Sequence, residues 1–354
     1  MDANDKPAPL KITSADLAAV VLPELGPNPI VAPKPGDAKS YGSIIDAADK
    51  APAIAEERGS FLLQGWFYLG VAGMLGALLG WALCERGFVD SRTMERWGNF
   101  WMIPSVITFM CIGFGASESI VERSVRKALL RGALAVPLGV VLGFVFEFVA
   151  NIIYSFDLGL VGAMGVQSFR NPAAWIARGI AWAVCGVAGG IVYGIVGQSG
   201  KKTKYGIIGG AIGAAIGGMI FDPIAMLTKG AGPSRAVGFA LVGLATGVAM
   251  GFVESALKDR WLYVTSGPLA GKQFILYKAL TTIGSLQSCD IYLFKDANIA
   301  PQHAAIAING SRVQLQAQGL TYVGGNSVQA RVLQDGDLVQ IGKYAFRYKE
   351  KHRA

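Results

Sequence analysis

The sequence predicts a multi-domain chain: an all-α polytopic membrane bundle of about six transmembrane helices with Gly-rich internal repeats, followed by an all-β sandwich. Three observations carry this reading. Of 354 residues, 52% are hydrophobic and only 16% charged, against roughly 25% charged in soluble domains, and the mean hydropathy is +0.43. The apolar residues form runs long enough to cross about 30 Å of hydrocarbon, which takes roughly 20 helical residues. After Arg260 the pattern changes to short alternating segments broken by Gly, Asp and Asn, the signature of many short strands.

Residues 1–60 are rich in Ala, Pro and Asp, and Pro27-Asn28-Pro29 and Pro33-Lys34-Pro35-Gly36 break any helix. They are expected to be a disordered cytoplasmic tail, with at most an amphipathic turn near Ala15–Leu25. No signal peptide is expected in this stretch, because the first long apolar run starts only at Phe61.

The bundle is expected over 61–257, with spans near Phe61–Cys84, Trp97–Ala116, Gly132–Phe156, Gly179–Gln198, Tyr205–Leu227 and Ala236–Val253. The even number puts both ends of the bundle on one side. Basic residues concentrate in the second and fourth linkers (Arg123, Arg126, Lys127, Arg131; Lys201, Lys202, Lys204) and after the last span (Lys258, Arg260). By the positive-inside bias, both termini face the cytoplasm of a bacterial-type inner membrane. The same distribution turns the +8 net charge away from a nucleic-acid reading, because no single basic stripe exists.

An internal repeat runs through the bundle. Arg178, Gly186, Gly190, Gly194 and Lys201 recur as Arg235, Gly243, Gly247, Gly251 and Lys258, at a constant offset of 57 residues (235 − 178). Small residues four apart make a smooth helix face on which backbones approach closely. These six glycines are therefore helix-packing residues, with self-association of the chain or a glycine-lined pore as the other uses. An ionisable group at mid-bilayer costs at least about 2.5 kcal/mol, and Glu147, Arg178, Asp222 and Arg235, toward the outer ends of spans, each call for a reason. They are read as interhelical ion pairs, with a proton or ion path through Glu147 and Asp222 as the alternative.

The segment 258–354 reads as a sandwich, with strands at 261–265, 273–276, 281–283, 291–294, 304–308, 312–317, 321–323, 339–341 and 344–348. Its opening Leu262–Leu276, Ile283-Gly284, Asp290-Ile291-Tyr292-Leu293, His303-Ala304, Thr321-Tyr322-Val323 and Leu333-Gln334-Asp335-Gly336-Asp337 through Ile341-Gly342 resemble a forkhead-associated (FHA) domain. The resemblance implies a phosphothreonine-binding sandwich that holds phosphate on an Arg fork and hydroxyl or amide donors at one end. The family's Gly-Arg is Gly284-Ser285 here. Its Ser-x-x-His is Ala300-Pro301-Gln302-His303, and its Asn-Gly-Thr is Gly319-Leu320-Thr321. The resemblance thus maps a ligand face onto Ser285, Ala300, Gln302, His303, Gly319 and Thr321, with His303 as a loop prop. Lys295 and Arg312 are candidate substitutes for the missing Arg, although Lys lacks the fork. Loss of two or three charged hydrogen bonds, about 1.5–3 kcal/mol each, weakens phosphopeptide binding by roughly a hundredfold or more. Phosphate-independent recognition is the leading expectation and phosphothreonine reading the alternative.

Cys84, Cys111, Cys185 and Cys289 are scattered, and His303 and His352 are the only histidines, so no metal site is expected. No phosphate loop, nucleophile elbow, kinase motif set or paired zinc ligands appears. The expectation is a non-enzymatic protein without a cofactor, a scaffold that recruits a cytoplasmic protein partner to the lipid bilayer. A small transporter or channel regulated by the sandwich is the alternative.

Overall fold

The computed structural model describes residues 51, 54–89, 96–163, 165, 171–227 and 231–351. Among these, a one-turn 3₁₀ segment (Phe61–Leu63) leads into α1 (Gly65–Glu85), α2 (Trp97–Val121), α3 (Val125–Ala163), α4 (Pro172–Val196), α5 (Gly200–Leu227) and α6 (Ala231–Leu257). All six are long and apolar enough to cross a membrane. They are neighbours in sequence order, and α6 returns to pack on α1, which closes the ring. The third helix exceeds the expected span, at 39 residues or about 58 Å, because Arg126, Lys127 and Arg131 continue it on one side and Asp157 on the other. Hydropathy marks the apolar stretch, whereas the backbone hydrogen-bond ladder runs past it.

The repeated glycines sit where two backbones meet. A Cβ on Gly186, Gly190 or Gly194 of α4 would overlap Gly210, Gly206 or Thr203 of α5. A Cβ on Gly243, Gly247 or Gly251 of α6 would overlap Gly73, Leu69 or Trp66 of α1. The two copies of the repeat thus make two equivalent seams, α4 on α5 and α6 on α1, in which main-chain proximity provides dispersion contacts.

The sandwich begins two residues after α6. One sheet has the order β2-β1-β11-β10-β7-β8 and the other β4-β3-β5-β6-β9. The strands are β1 (Arg260–Ser266), β2 (Gln273–Ile275), β3 (Leu280–Gly284), β4 (Ile291–Tyr292), β5 (Ala304–Asn309), β6 (Arg312–Ala317), β7 (Thr321–Val323), β8 (Asn326–Ser327), β9 (Ala330–Val332), β10 (Leu338–Ile341) and β11 (Tyr344–Glu350). Leu262, Val264, Ile283, Ile306, Leu315, Val323, Val339, Phe346 and Tyr348 point inward and are buried, the period-two pattern of packed sheets.

Most of the expected tail, 1–50 and 52–53, lies outside the described residues, as does His352. Its last residues differ from the expectation. Glu57 N–H donates to the Thr265 carbonyl and Ser60 N–H to the Ala270 carbonyl, so this stretch is held as a strap on the sandwich. Main-chain pairing decides it, and composition carries no trace of that.

Candidate functional site

The residues expected to form the ligand face lie where β3, β5 and β7 meet their loops. Ser285, just past β3, donates its N–H to the Ala300 carbonyl. Ala300 donates its own N–H to His303 Nδ1 at 3.1 Å, and His303 Nε2 lies 3.1 Å from the Leu320 carbonyl. This assigns the neutral tautomer with the proton on Nε2. The buried imidazole therefore ties two loops together. Gly319 lies flat against it, and a Cβ there would overlap the ring. Thr321 is buried, and its hydroxyl donates to the Gly319 carbonyl at 3.1 Å. Gln302 is on an exposed loop tip. Lys295, with φ 62°, is exposed in the β4–β5 connection on this same end of the sandwich.

Arg312 does not belong to this face. It pairs with Asn309 at the far end of the β5–β6 hairpin, while Ala304, beside His303, pairs with Ala317. Five residues of strand place it about 17 Å away. The loop tips expose Leu286 at 45% and Leu320 at 63%, so the face presents apolar side chains where the family resemblance calls for an Arg fork. Beside it, burial tends to raise the Asp290 carboxyl. Hydrogen bonds from Lys278 Nζ (2.7 Å) and from the Thr282 N–H and hydroxyl (3.0 Å each) outweigh that effect and hold it below the usual range.

A second polar cluster joins sandwich to bundle. Lys272 Nζ, in the β1–β2 turn, lies 2.6 Å from Glu122 Oε1 in the α2–α3 turn, with side chains only 1% and 3% exposed. Lys272 also stands over the Phe274 ring at 4.6 Å, and Arg123 over Phe294 at 5.6 Å. Lys127 Nζ donates to the Cys289 carbonyl. Tyr277 donates to Glu254 Oε1 at 2.6 Å and Tyr193 to Glu254 Oε2 at 3.0 Å. Burial, with Glu254 alongside, pushes the Tyr277 phenol well above its usual range, so it stays a donor. Beneath these, Glu118 pairs with Lys202 at 2.8 Å and Arg131 at 3.3 Å. The linker bases used to orient the bundle are thus partly internal counter-ions. Sequence reasoning missed Glu118, Glu122, Glu254 and Lys272. The available signal was the spacing of Glu118 and Glu122, one turn apart among bases.

A third polar group lies at the end of the bundle away from the sandwich. Arg178 Nε is 3.0 Å from Asp222 Oδ2, an ion pair lacking hydrogen-bond alignment. Its Nη2 donates to the Tyr154 hydroxyl at 3.1 Å. Arg235 takes a partner missed in the sequence, Glu85, through Nη2–Oε1 at 2.6 Å and Nε–Oε2 at 3.2 Å. Glu147 joins neither pair. It lines a cavity of about 620 Å³ together with both arginines. Among the described residues no group of three or more His, Cys, Asp or Glu is placed to hold a metal ion.

With this geometry in place, residues 263–352 match the family described as "Inner membrane component of T3SS, cytoplasmic domain". The glycogen accumulation regulator GarA of Mycolicibacterium smegmatis is 37% identical over 86 residues, which is 23% of this chain and 54% of that protein. The oxoglutarate dehydrogenase inhibitor of Corynebacterium glutamicum is also 37% identical over 86 residues, 23% of this chain and 59% of that one. The chain spans little more than half the length of these curated relatives. Among solved structures, the FHA domain of the CT664 protein of Chlamydia trachomatis is 26% identical, with a TM-score of 0.25, covering 27% of this chain and all of that one. The C-terminal segment is an FHA domain. The FHA domain accounts for the sandwich alone. No part of the helical bundle lies within the family match.

Proposed function

We propose that this chain is a non-enzymatic, membrane-held interaction module whose FHA domain recruits a cytoplasmic protein partner, with phosphothreonine recognition weakened or lost. The observation that carries this is the ligand face itself. Ser285 stands where the family resemblance calls for Arg, the Thr321 hydroxyl is turned inward, and the exposed tips are Leu286 and Leu320. Such a face favours an apolar peptide surface, which gains about 25 cal/mol per Å² buried, over a phosphate that needs charged donors. The description of the matching family supports an inner-membrane location with the sandwich in the cytoplasm. An even number of spans, with the sandwich at one end of the bundle, supports the reading that both termini lie on that side. The printed names of the curated relatives, a regulator and an inhibitor, support control by protein contact.

The test is binding of the full chain to a degenerate threonine-peptide library, phosphorylated and unphosphorylated. Affinities within about threefold between phosphorylated and plain twins are expected. A preference above tenfold for the phosphorylated twin overturns the reading. A second reading, a small transporter regulated by the sandwich, is favoured by the cavity beside Glu147. Solute or ion flux in proteoliposomes, lost in Glu147→Gln, would establish it.

A further inference from the structure

The cavity at the distal end of the bundle has the size of a small-molecule site, within the roughly 300–1,000 Å³ such sites occupy. Three charged side chains border it, and two are already neutralised. Arg178 is held by Asp222 and lies over Tyr154 and Phe221, at 5.5 and 5.4 Å. Arg235 is held by both oxygens of Glu85 and lies over Phe88 at 4.3 Å. Among the described residues, no ion pair or hydrogen bond reaches the Glu147 carboxylate. It sits on one face of α3 with Ala150, Asn151 and Tyr154, all of which line the cavity, at the i, i+3, i+4, i+7 spacing of a single helical stripe.

The opposite wall is aromatic. Trp182 packs edge-on to Phe239 at 5.9 Å, and Phe239 to Phe221 at 5.5 Å. Ring faces attract cations, and more strongly when water is excluded. An anion finds guanidinium groups whose charge is already met. The uncompensated charge is one carboxylate, and most side chains around it are apolar, with Asn99, Asn151, Tyr154 and Ser234 as the uncharged polar ones.

We propose that this cavity binds a lipophilic cation, with Glu147 as its counter-ion and Trp182, Phe221 and Phe239 as its apolar wall. The proposal does not depend on the role of the FHA domain.

Tetraphenylphosphonium and tetraphenylborate share shape and differ in sign, which makes them the probe pair. Binding to the full chain in lipid nanodiscs is measured by equilibrium dialysis against empty nanodiscs. Saturable phosphonium binding, at least tenfold tighter than borate, is expected. Glu147→Gln should weaken the phosphonium at least tenfold and leave the borate unchanged, whereas Glu147→Asp should keep the preference. Ala150→Trp, which fills the cavity and keeps the carboxylate, should abolish saturable binding. Thermal melting of each variant separates lost binding from lost fold, and Glu147→Asp with Ala150→Trp carries the test if Glu147→Gln does not fold. Phosphonium binding that is absent, no tighter than borate, or undiminished in folded Glu147→Gln or folded Ala150→Trp overturns the proposal.

Discussion

Replacing Lys272 by Met should loosen the contact between the FHA domain and the bundle without unfolding either. Lys272 and Glu122 are 2.6 Å apart, almost wholly buried and 150 positions apart in sequence. Methionine keeps most of the aliphatic stem but removes the ammonium over Phe274 and leaves the Glu122 carboxylate in the interface without its cation. Removing one partner of such a pair costs about 3–5 kcal/mol, or roughly two to three and a half orders of magnitude in the docked population. Other contacts remain, notably Tyr277–Glu254 and Lys127 on the Cys289 carbonyl, so the expected result is local opening. Hydrogen exchange should accelerate in the α2–α3 turn and the β1–β2 turn, while the sheet interior around Ile283 and Val339 stays protected. Lys272→Met with Glu122→Leu should restore most of the protection, because a packed apolar pair is close to neutral or better. Unchanged exchange in the single variant, or a double variant no better than the single, refutes the reasoning.

Three other expectations follow from the geometry. Gly247→Leu and Gly186→Val force side chains into the opposing main chains of Leu69 and Gly210, costing at least about 1–3 kcal/mol. Gly159→Ala, with nothing near it, should stabilise by a few tenths to about 1 kcal/mol, and thermal melting in detergent ranks them. His303→Ala orphans the Ala300 N–H and the Leu320 carbonyl, a loss of about 1–3 kcal/mol. For a domain of this size that lowers the melting point roughly 4–8 °C per kcal/mol, which calorimetry reads. Asp290 has its folded pKa held down, so its contribution is complete above the unfolded carboxylate value near 3.9 and is lost as pH falls through the folded value. The stability gap between wild type and Asp290→Asn, followed by denaturant titration, should therefore be open at pH 7 and close as pH falls through the depressed folded value.

The apolar architecture was readable because lipid imposes a coarse rule: about 20 apolar residues for each crossing. The helix ends were less readable, since charged residues such as Arg126 and Lys127 extend α3 beyond the apolar stretch. In the sandwich, alternation revealed the strands with one buried face. It did not reveal β8 and β9, whose residues Asn326–Ser327 and Ala330–Val332 are all exposed and carry no period. Arg312 was misassigned to the ligand face because hairpin register, which sets its place, is not visible in residue type. The repeat did show that Arg178 and Arg235 are equivalent, but not that their acids come from two different helices, α5 and α1. Long-range pairing leaves no local trace, and the Lys272–Glu122 contact is the extreme case.

One property of both halves bears on how the chain is made. The seam of α6 on α1 joins the last helix to the first, and β1 lies against β11, which again joins the first and last strands. Each half therefore closes only when its final element emerges. During synthesis, α1 must wait with its glycine face open until α6 arrives, and β1 must wait for a strand about 80 residues later. Truncation by even the last strand should therefore strand β1 as a bare edge, ready to pair with another chain.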